Sequence, residues 1–334
     1  MLLGFDIGGT KCAVVLGSNG IEGAQSSNGA EIQIIDKAVV NTDRPVYEMI
    51  DFLFATADRL LIKHDLTKQS ITGIGISCGG PLNSKLGLVL SPPNLPGWDN
   101  IPIVEITKER FGSNVMLQND ANACAIAEWK YGAGKGYANL IFLTFGTGMG
   151  AGLILNGKLY TGTNDLAGEV GHMRLADNGP VGFGKEGSFE GFCSGGGIAQ
   201  LAQSEVRKKL QMGQKVSFCK SLQDLPGLTA KMVAEAAYKG DNVAIEIYKT
   251  CGEYLGRGLS LLIDILNPEI IIIGSIYGRA KELIEPYMRE VIEIEAISDS
   301  RKVCKIVPAA LSENLGDMAA LSVAVLSAQN PGFA

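Results

Sequence analysis

Two short apolar segments, one in each half of the chain, end in a glycine-rich turn and continue into a further apolar segment. The first glycine turn is Gly8-Gly9-Thr10-Lys11, between residues 2–7 and 12–16. The second is Gly146-Thr147-Gly148-Met149-Gly150, between residues 140–145 and 152–155. Apolar runs joined by turn residues are typical of β-hairpins. Their recurrence predicts two similar α/β units that face each other across a cleft.

The rest of the chain alternates predicted strands and helices. Ser91–Trp98, rich in proline and glycine, is predicted to be an ordered loop, and Asn156-Gly157 a hairpin turn. Further strands are predicted at 32–41, Ile71–Ser77, 115–118 and Ile270–Ile273, and helices at Val46–His64, 103–111, 119–131, 195–212, 229–239, 241–266 and Asn314–Gln329.

The composition disfavours several classes of function. Lys and Arg total 29 against 35 Asp and Glu, a net charge of −6, which argues against a nucleic-acid partner. The seven cysteines are widely spaced without Cys-x-x-Cys, as in a reduced cytoplasmic protein. The N-terminus lacks the features of a signal peptide, and the richest apolar run, Ile270–Ile273, is too short to span a membrane. The 43 glycines indicate many turns, or backbone lying close to ligands.

The first glycine turn follows an acid, Asp6, at a strand end. Phosphates can approach a backbone without Cβ atoms closely, and Thr10 and Lys11 add donors. Asp6 is predicted to hold Mg²⁺ through water, since this ion takes one or two carboxylates and keeps several waters. The alternative is an ordinary hairpin with a solvated lysine.

The second glycine turn also fits the loose dinucleotide fingerprint Gly146-x-Gly148-x-x-Ala151. That fingerprint requires a helix next, whereas a strand and a hairpin are predicted here, and the sequence has no P-loop motif. Two glycine turns, one in each unit, instead suit a nucleotide held between two lobes.

Asn119 and Asp120 follow a predicted strand and open a helix. Two interpretations stay open. Both residue types are favoured helix N-caps, and a carboxylate at a cleft is also suited to act as a general base for an attacking hydroxyl.

Glu169 and His172 lie close in sequence, with Glu190 further along. Metal binding is disfavoured, because no cysteine or second histidine stands near at ligand spacing. Recognition of a polyol suits the set better, since acids accept and imidazole donates hydrogen bonds. Gly75-Ile76-Ser77-Cys78-Gly79 matches a hydrolase nucleophile elbow, but Pro81 opposes the helix that should follow.

In order and over most of the chain, these segments resemble the ROK (repressor, open reading frame, kinase) sugar-kinase family. The motifs are Asp6-Ile7-Gly8-Gly9-Thr10-Lys11, Pro93-Asn94-Leu95-Pro96-Gly97-Trp98, Asn119-Asp120-Ala121-Asn122, Gly146-Thr147-Gly148-x-Gly150 and Glu169-x-Gly171-His172. The resemblance implies an actin-like ATPase (ribonuclease H-like) fold and transfer of the γ-phosphoryl of ATP, with Mg²⁺, to a hexose or N-acetylhexosamine, usually at the 6-hydroxyl. Homodimers or homotetramers are also expected.

The resemblance assigns roles to individual residues. Asp120 is expected to be the catalytic base and Gly80 a backbone contact to the sugar. The expected sugar ligands are Asn119, Asp120, Glu169, His172 and Glu190, and the expected ATP-binding residues are Asp6, Gly8, Gly9, Thr10, Lys11, Gly146, Thr147, Gly148, Gly150 and Gly274.

One motif departs from the family. Many members hold a structural zinc with a histidine and a Cys-x-Cys-Gly-x-x-Gly-Cys-x-Glu segment, whereas residues 181–190 here read VGFGKEGSFE. All three thiols are missing, so we predict no structural zinc. Apolar packing of Val181 and Phe183 is expected to shape this loop instead.

The resulting prediction is an ATP-dependent sugar kinase, with a non-catalytic sugar sensor of the same fold as the alternative. DNA binding is not expected, because only five residues precede Asp6 and repressors of the family carry a winged helix-turn-helix there. Residues 1–118 with 312–334 are predicted to form a smaller domain and 119–311 a larger one, with both sites in the cleft between them. The sugar itself is left open, as is a contact from Asn94.

Overall fold

We analysed a computed structural model of the protein, which describes residues 1–20 and 31–329. The described strands are β1 (Leu2–Ile7), β2 (Lys11–Asn19), β3 (Ile32–Asn41), β4 (Gly73–Cys78), β5 (Leu82–Asn83), β6 (Leu88–Val89), β7 (Val115–Asn119), β8 (Leu140–Leu143), β9 (Ala151–Leu155), β10 (Lys158–Tyr160), β11 (Val181–Gly182), β12 (Lys185–Glu186), β13 (Ile270–Ile273) and β14 (Lys305–Pro308). The helices are α1 (Val46–Lys63), α2 (Ile103–Phe111), α3 (Asp120–Tyr131), α4 (Phe189–Phe192), α5 (Gly195–Gln211), α6 (Ala230–Tyr238), α7 (Asn242–Leu266), α8 (Ile276–Glu295), α9 (Ser298–Val303) and α10 (Leu315–Gln329).

Two five-stranded sheets repeat one plan. The first has the order β3-β2-β1-β4-β7 and the second the order β10-β9-β8-β13-β14. In each sheet an antiparallel hairpin, β1–β2 or β8–β9, is extended by two parallel strands. The prediction of two similar α/β units is therefore confirmed. We call the first sheet with α1, α2 and α10 the first lobe, and the second sheet with α4–α9 the second lobe.

Helix α10 packs against the first sheet so closely that glycines are required beneath it. A Cβ on Gly75 would lie 2.1 Å from the carbonyl oxygen of Ala320, and one on Gly73 2.3 Å from that of Ala324. This approach brings the beginning of α10 next to Asp6, because a Cβ on Gly316 would lie 2.8 Å from the Asp6 carboxylate. The C-terminal helix thus contributes to the end of β1.

Helix α3 connects the two sheets and packs against α10 and β9. Gly152 permits its approach to β9, because a Cβ there would lie 2.4 Å from the carbonyl oxygen of Ala121. The first turn of α3, which carries Asp120, therefore lies near the second glycine turn.

The remaining predicted elements can be compared directly with the structure. Every predicted strand and helix is present with limits that differ by a few residues, and Asn156 and Gly157 adopt the positive φ of the predicted turn. Helix α8 and strand β14 were not predicted. The predicted domain limits remain predictions, and they include residues 21–30 and 330–334, which lie outside the described residues. No described helix has both the length and the apolar character needed to cross a membrane.

Candidate active site

The first glycine turn joins β1 to β2 and is held by Thr42, whose hydroxyl donates to the carbonyl of Gly8 at 2.7 Å and whose amide donates to the carbonyl of Thr10 at 3.0 Å. The amide of Gly8 donates to the carbonyl of Lys11 at 3.2 Å, and Thr10 and Lys11 are exposed. Behind the turn lies the loop that carries Asn94, so closely that a Cβ on Gly9 would be 2.3 Å from the Asn94 carbonyl oxygen. Asn94 also faces Gly79, so the predicted ordered loop supports the turn.

The second glycine turn is fixed from several sides. The amide of Gly150 donates to the Thr144 hydroxyl at 2.8 Å, and the amide of Gly195, at the beginning of α5, donates to the carbonyl of Gly146 at 2.8 Å. The amide of Met149 donates to Oε2 of Glu190 at 2.9 Å. A predicted sugar ligand, Glu190, thus directly contacts the predicted phosphate turn.

Gly274 and Ser275 lie beside the second glycine turn. The amide of Gly274 donates to the carbonyl of Leu143 at 2.9 Å, which fixes the end of β13 against β8. Ser275 has a φ of +51°, an uncommon conformation for a residue with a side chain. Its hydroxyl oxygen lies 3.8 Å from the Cβ position of Gly146, so the turn before α8 reaches the second glycine turn.

Asn119 and Asp120 have different roles at the beginning of α3. Asn119 is the N-cap, and its Oδ1 accepts hydrogen bonds from the amides of Ala121 and Asn122. Asp120 is the first helical residue, with Oδ1 accepting from the Ala121 amide at 2.8 Å. The cap is therefore supplied chiefly by Asn119, whose Nδ2 lies 3.2 Å from the Cβ position of Gly80.

The Asp120 carboxylate is both accessible and surrounded by protein. Its side chain reaches solvent, yet burial by neighbouring atoms raises the pKa of its carboxyl group. The carboxylate is therefore reachable from solvent while protein atoms surround it on several sides. After burial, the charge of Asp120 is the largest influence that raises the pKa values of Asp6 and Glu169, so its carboxylate is close enough to act on both.

Asp6 lies in a concentration of negative charge. Burial and then the charge of Asp120 raise the pKa of the Asp6 carboxyl to about 6, while a hydrogen bond from Ser77 opposes the shift. Asp317, on the first turn of α10, adds a third carboxylate and is paired with Lys37 at 2.7 Å. Lys37 and Asp317 were not predicted as site residues. Asp317 could have been noticed as an acid in the first turn of the last helix, but no sequence signal marks Lys37.

The predicted sugar ligands Glu169, His172 and Glu190 lie in one region of the second lobe. Burial, followed by the charges of Asp120 and Glu190, raises the pKa of Glu169, and His172 opposes the shift. The His172 ring contacts Phe183 edge to face, with 6.1 Å between ring centroids, and its carbonyl accepts from Lys185 Nζ at 2.7 Å.

The expectation that Val181 and Phe183 pack into an apolar loop is wrong. These side chains are 46% and 70% exposed. The loop is the hairpin β11–β12, held by polar contacts instead: Gln200 bonds both the amide and the carbonyl of Val181, at 2.9 Å each. Among residues 1–20 and 31–329, no three His, Cys, Asp or Glu side chains are grouped as a metal site would require. The prediction that the protein lacks structural zinc remains a prediction.

The hydrolase alternative does not fit the structure. Ser77 lies inside β4, is 1% exposed, and donates to Asp6. A cis Gly80–Pro81 peptide and the short strand β5 follow, rather than the helix that a nucleophile elbow requires. Ser77 therefore supports the Asp6 carboxylate.

Comparisons with known proteins agree on one family. The sequence pattern of the ROK family matches residues 2–326. A glucokinase of Thermotoga maritima is 31% identical over 329 residues, 96% of each chain. A xylose repressor of Caldicellulosiruptor bescii is 32% identical over 246 residues, 73% of this chain and 60% of the repressor. A ROK family glucokinase from Streptomyces griseus, solved in complex with glucose and AMPPNP, superposes with a TM-score of 0.75 and 27% identity, covering 98% of this chain and 99% of that one. The predicted actin-like ATPase fold is thereby confirmed.

Proposed function

The chain belongs to the ROK family, and from this premise we propose that it transfers the γ-phosphoryl group of ATP to a hexose or N-acetylhexosamine, at the 6-hydroxyl. The observation that carries the proposal is the position of Asp120, which is accessible to solvent, acts on the charge of Asp6 beside the first glycine turn, and precedes Ala121, whose Cβ lies 3.9 Å from the Cβ position of Gly150 in the second. Glucokinases among the relatives support sugar phosphorylation in general.

Asp120 is the proposed general base. In the reaction its carboxylate accepts the proton of the sugar hydroxyl as the oxygen attacks the γ-phosphorus, and it holds that oxygen in line with the leaving group. Phosphoryl transfer depends mainly on such alignment and on neutralising charge. Because Asn119 caps α3, the Asp120 carboxylate retains an oxygen with no bond to that helix end.

The two glycine turns and Lys11 are the proposed phosphate-binding elements, together with the Gly274 turn beside the nucleotide. The exposed Lys11 supplies positive charge, and the amides of the turns supply donors without an intervening side chain. Asn119, Glu169, His172, Glu190 and the backbone of Gly80 are proposed to bind the sugar hydroxyl groups. Glu190 has one oxygen engaged by Met149, so its other oxygen is the one available to a sugar.

The residues present fit a magnesium ion that accompanies ATP. Asp6 is the one carboxylate proposed to hold the ion; burial and then the nearby charge of Asp120 raise its pKa, so a cation there would offset unfavourable negative charge. Mg²⁺ characteristically takes one or two carboxylates and completes its coordination with water and phosphate oxygens. Asp6 would hold it through water, and the ion would offset the charge of the phosphates.

Exchange of Asp120 for asparagine tests the proposal. Asp120→Asn should lower kcat by about 10²- to 10⁴-fold, the usual contribution of a general base, and leave the melting temperature and sugar binding nearly unchanged. ADP release is measured over a panel of hexoses and N-acetylhexosamines, with sugar binding followed by calorimetry. Asp241→Asn is the matched control, because Asp241 caps α7 away from the cleft and asparagine caps equally well.

The outcomes separate the alternatives. Near-normal turnover of Asp120→Asn would show that Asp120 is not the general base. Sugar binding by the unmodified chain without ADP release on any sugar would identify a non-catalytic sensor, the alternative that the repressor relatives raise. The same panel identifies the preferred sugar.

A further inference from the structure

A pair of hydrogen bonds joins the two lobes across the cleft. The backbone amide and the hydroxyl of Ser84 both donate to Oδ2 of Asp165, at 2.7 Å and 2.9 Å. Ser84 lies in the β5–β6 hairpin, which packs into the core of the first lobe, and Asp165 lies in a loop that ends against β9 of the second. Hydrogen bonds to a carboxylate are stronger than those between neutral groups. Both residues are half-buried, so water competes only partly with the contact.

The Ser84 side of the contact is rigid. Ser84 lies in the turn of the β5–β6 hairpin, where Oδ1 of Asn83 accepts from the amide of Leu86 at 2.9 Å. Leu82 and Val89 anchor the hairpin in the core of the first lobe. Because Gly80 immediately precedes this hairpin in the chain, the position of Ser84 is fixed relative to Gly80.

The Asp165 side is a closed loop. The amide of Ala167 donates to the carbonyl of Thr161 at 3.1 Å, and Asp165 adopts a φ of +61° between them. Gly168 fixes the end of the loop on β9, since a Cβ there would lie 2.0 Å from the carbonyl oxygen of Ala151. Glu169 follows directly, so the position of Asp165 is tied to a predicted sugar ligand.

We propose that Ser84 and Asp165 form a latch that holds the two lobes closed around the sugar. Neither Ser84 nor Asp165 is proposed to touch sugar or ATP, so both are positioning residues. The contact joins the segment of Gly80 to the segment of Glu169, which approach the sugar from opposite lobes. Separation of the lobes breaks both bonds, so the latch favours the closed arrangement. The role of the latch in sugar binding rests on the proposed function. The contact between the lobes is independent of that function.

Three variants isolate the latch. Asp165→Gly removes the carboxylate, and glycine tolerates the positive φ, so the loop keeps its conformation. Asp165→Asn keeps an acceptor and a residue type that tolerates this backbone. Ser84→Ala removes the hydroxyl and keeps the amide. The matched control is Ser217→Ala, because the amide and hydroxyl of Ser217 also donate to one oxygen of an aspartate, Asp241, but within the second lobe.

Loss of the latch should weaken sugar binding without slowing the chemical step. Asp165→Gly should raise the KM for the sugar that the panel identifies about tenfold at nearly constant kcat, because binding must then also close the lobes. Ser84→Ala and Asp165→Asn should each raise this KM about threefold. A chain that carries both Ser84→Ala and Asp165→Gly should have the same KM as Asp165→Gly alone, because both substitutions remove one contact. In small-angle X-ray scattering, Asp165→Gly should have a larger radius of gyration than the unmodified chain, whereas Ser217→Ala should not.

Three results would overturn the latch. The first is a radius of gyration that Asp165→Gly leaves unchanged, and the second is a doubly substituted chain whose effects on KM are additive. If the unmodified chain phosphorylates no sugar, the proposed function fails, and the scattering comparison alone decides the latch. A fall in kcat with unchanged KM would also contradict it, because a closing contact acts on binding.

Discussion

The two glycine turns have similar sequences and similar strands on either side, yet the protein holds them differently. The first is a hairpin turn that rests on the Asn94 backbone, and the strand before it carries an acid, Asp6. The second is preceded by Thr144, whose hydroxyl binds within the turn, and it is tied to α5 and Glu190. The first turn carries the charged Lys11 and is held by Thr42 and the Asn94 backbone, whereas the second contains no charged residue and is held by Thr144, α5 and Glu190.

This difference separates the tasks of the two lobes. Charge at the first turn is concentrated where Asp6 meets Asp120 and Asp317, and this is where a magnesium ion would offset it. At the second turn, Glu190 joins the predicted phosphate-binding backbone to the predicted sugar site through one hydrogen bond. Sugar and nucleotide are therefore expected to affect each other's binding mainly through the second turn.

The largest expected effect comes from filling the space behind the first turn. Gly9→Ala would place a Cβ 2.3 Å from the Asn94 carbonyl oxygen, and backbone cannot move aside as a side chain can. We expect a loss of about 1–3 kcal/mol in the free energy of unfolding, typical of overpacking, and a higher KM for ATP. Chemical denaturation and ATP titration measure the two effects. The control is Gly227→Ala, at a position with no atom within 4 Å of the added methyl group. Equal stability of the two variants would show that the first turn is free to move.

A smaller and different effect is expected at the second turn. Gly148→Ala would place a Cβ 2.8 Å from Oε2 of Glu190, the movable end of a side chain. The carboxylate should shift and release the Met149 amide, so the fold should survive while the KM for sugar rises about fivefold. Glu190→Gln is the partner variant, since its amide oxygen can still accept from Met149. If Glu190 couples the two sites, saturating ATP should tighten sugar binding in Glu190→Gln and no longer do so in Gly148→Ala. Identical behaviour of the two variants would argue against this coupling.

The same contrast explains what the sequence could predict. Both turns, their strands and the beginning of α3 follow from local patterns, because apolar runs, glycine turns and N-cap residues act within a few positions. Helix α8 was missed although its buried residues recur with helical spacing, and Pro286 lies within it. The support of the turns by Asn94, Glu190 and α5 depends on contacts between distant segments, which no spacing reveals. The prediction for Val181 and Phe183 is wrong because apolar character alone does not determine burial, and Gln200 and the backbone hold that hairpin instead.

The smallest expected effect tests the charge at the first turn. Lys37 pairs with Asp317 and lowers the pKa of Asp6, so Lys37→Met should raise the Asp6 pKa further above its value of about 6. The proposed mechanism requires ionised carboxylates at Asp6 and Asp120, so the rate should fall as the pH drops through their pKa values. A higher pKa therefore moves the acid limb of the kcat/KM profile to higher pH, by about half a unit, with little change at pH 8. Lys37→Arg keeps the positive charge and should restore the limb. If the acid limb of the kcat/KM profile does not move in Lys37→Met, Asp6 does not determine its position. The acid limb is then assigned to Asp120 alone.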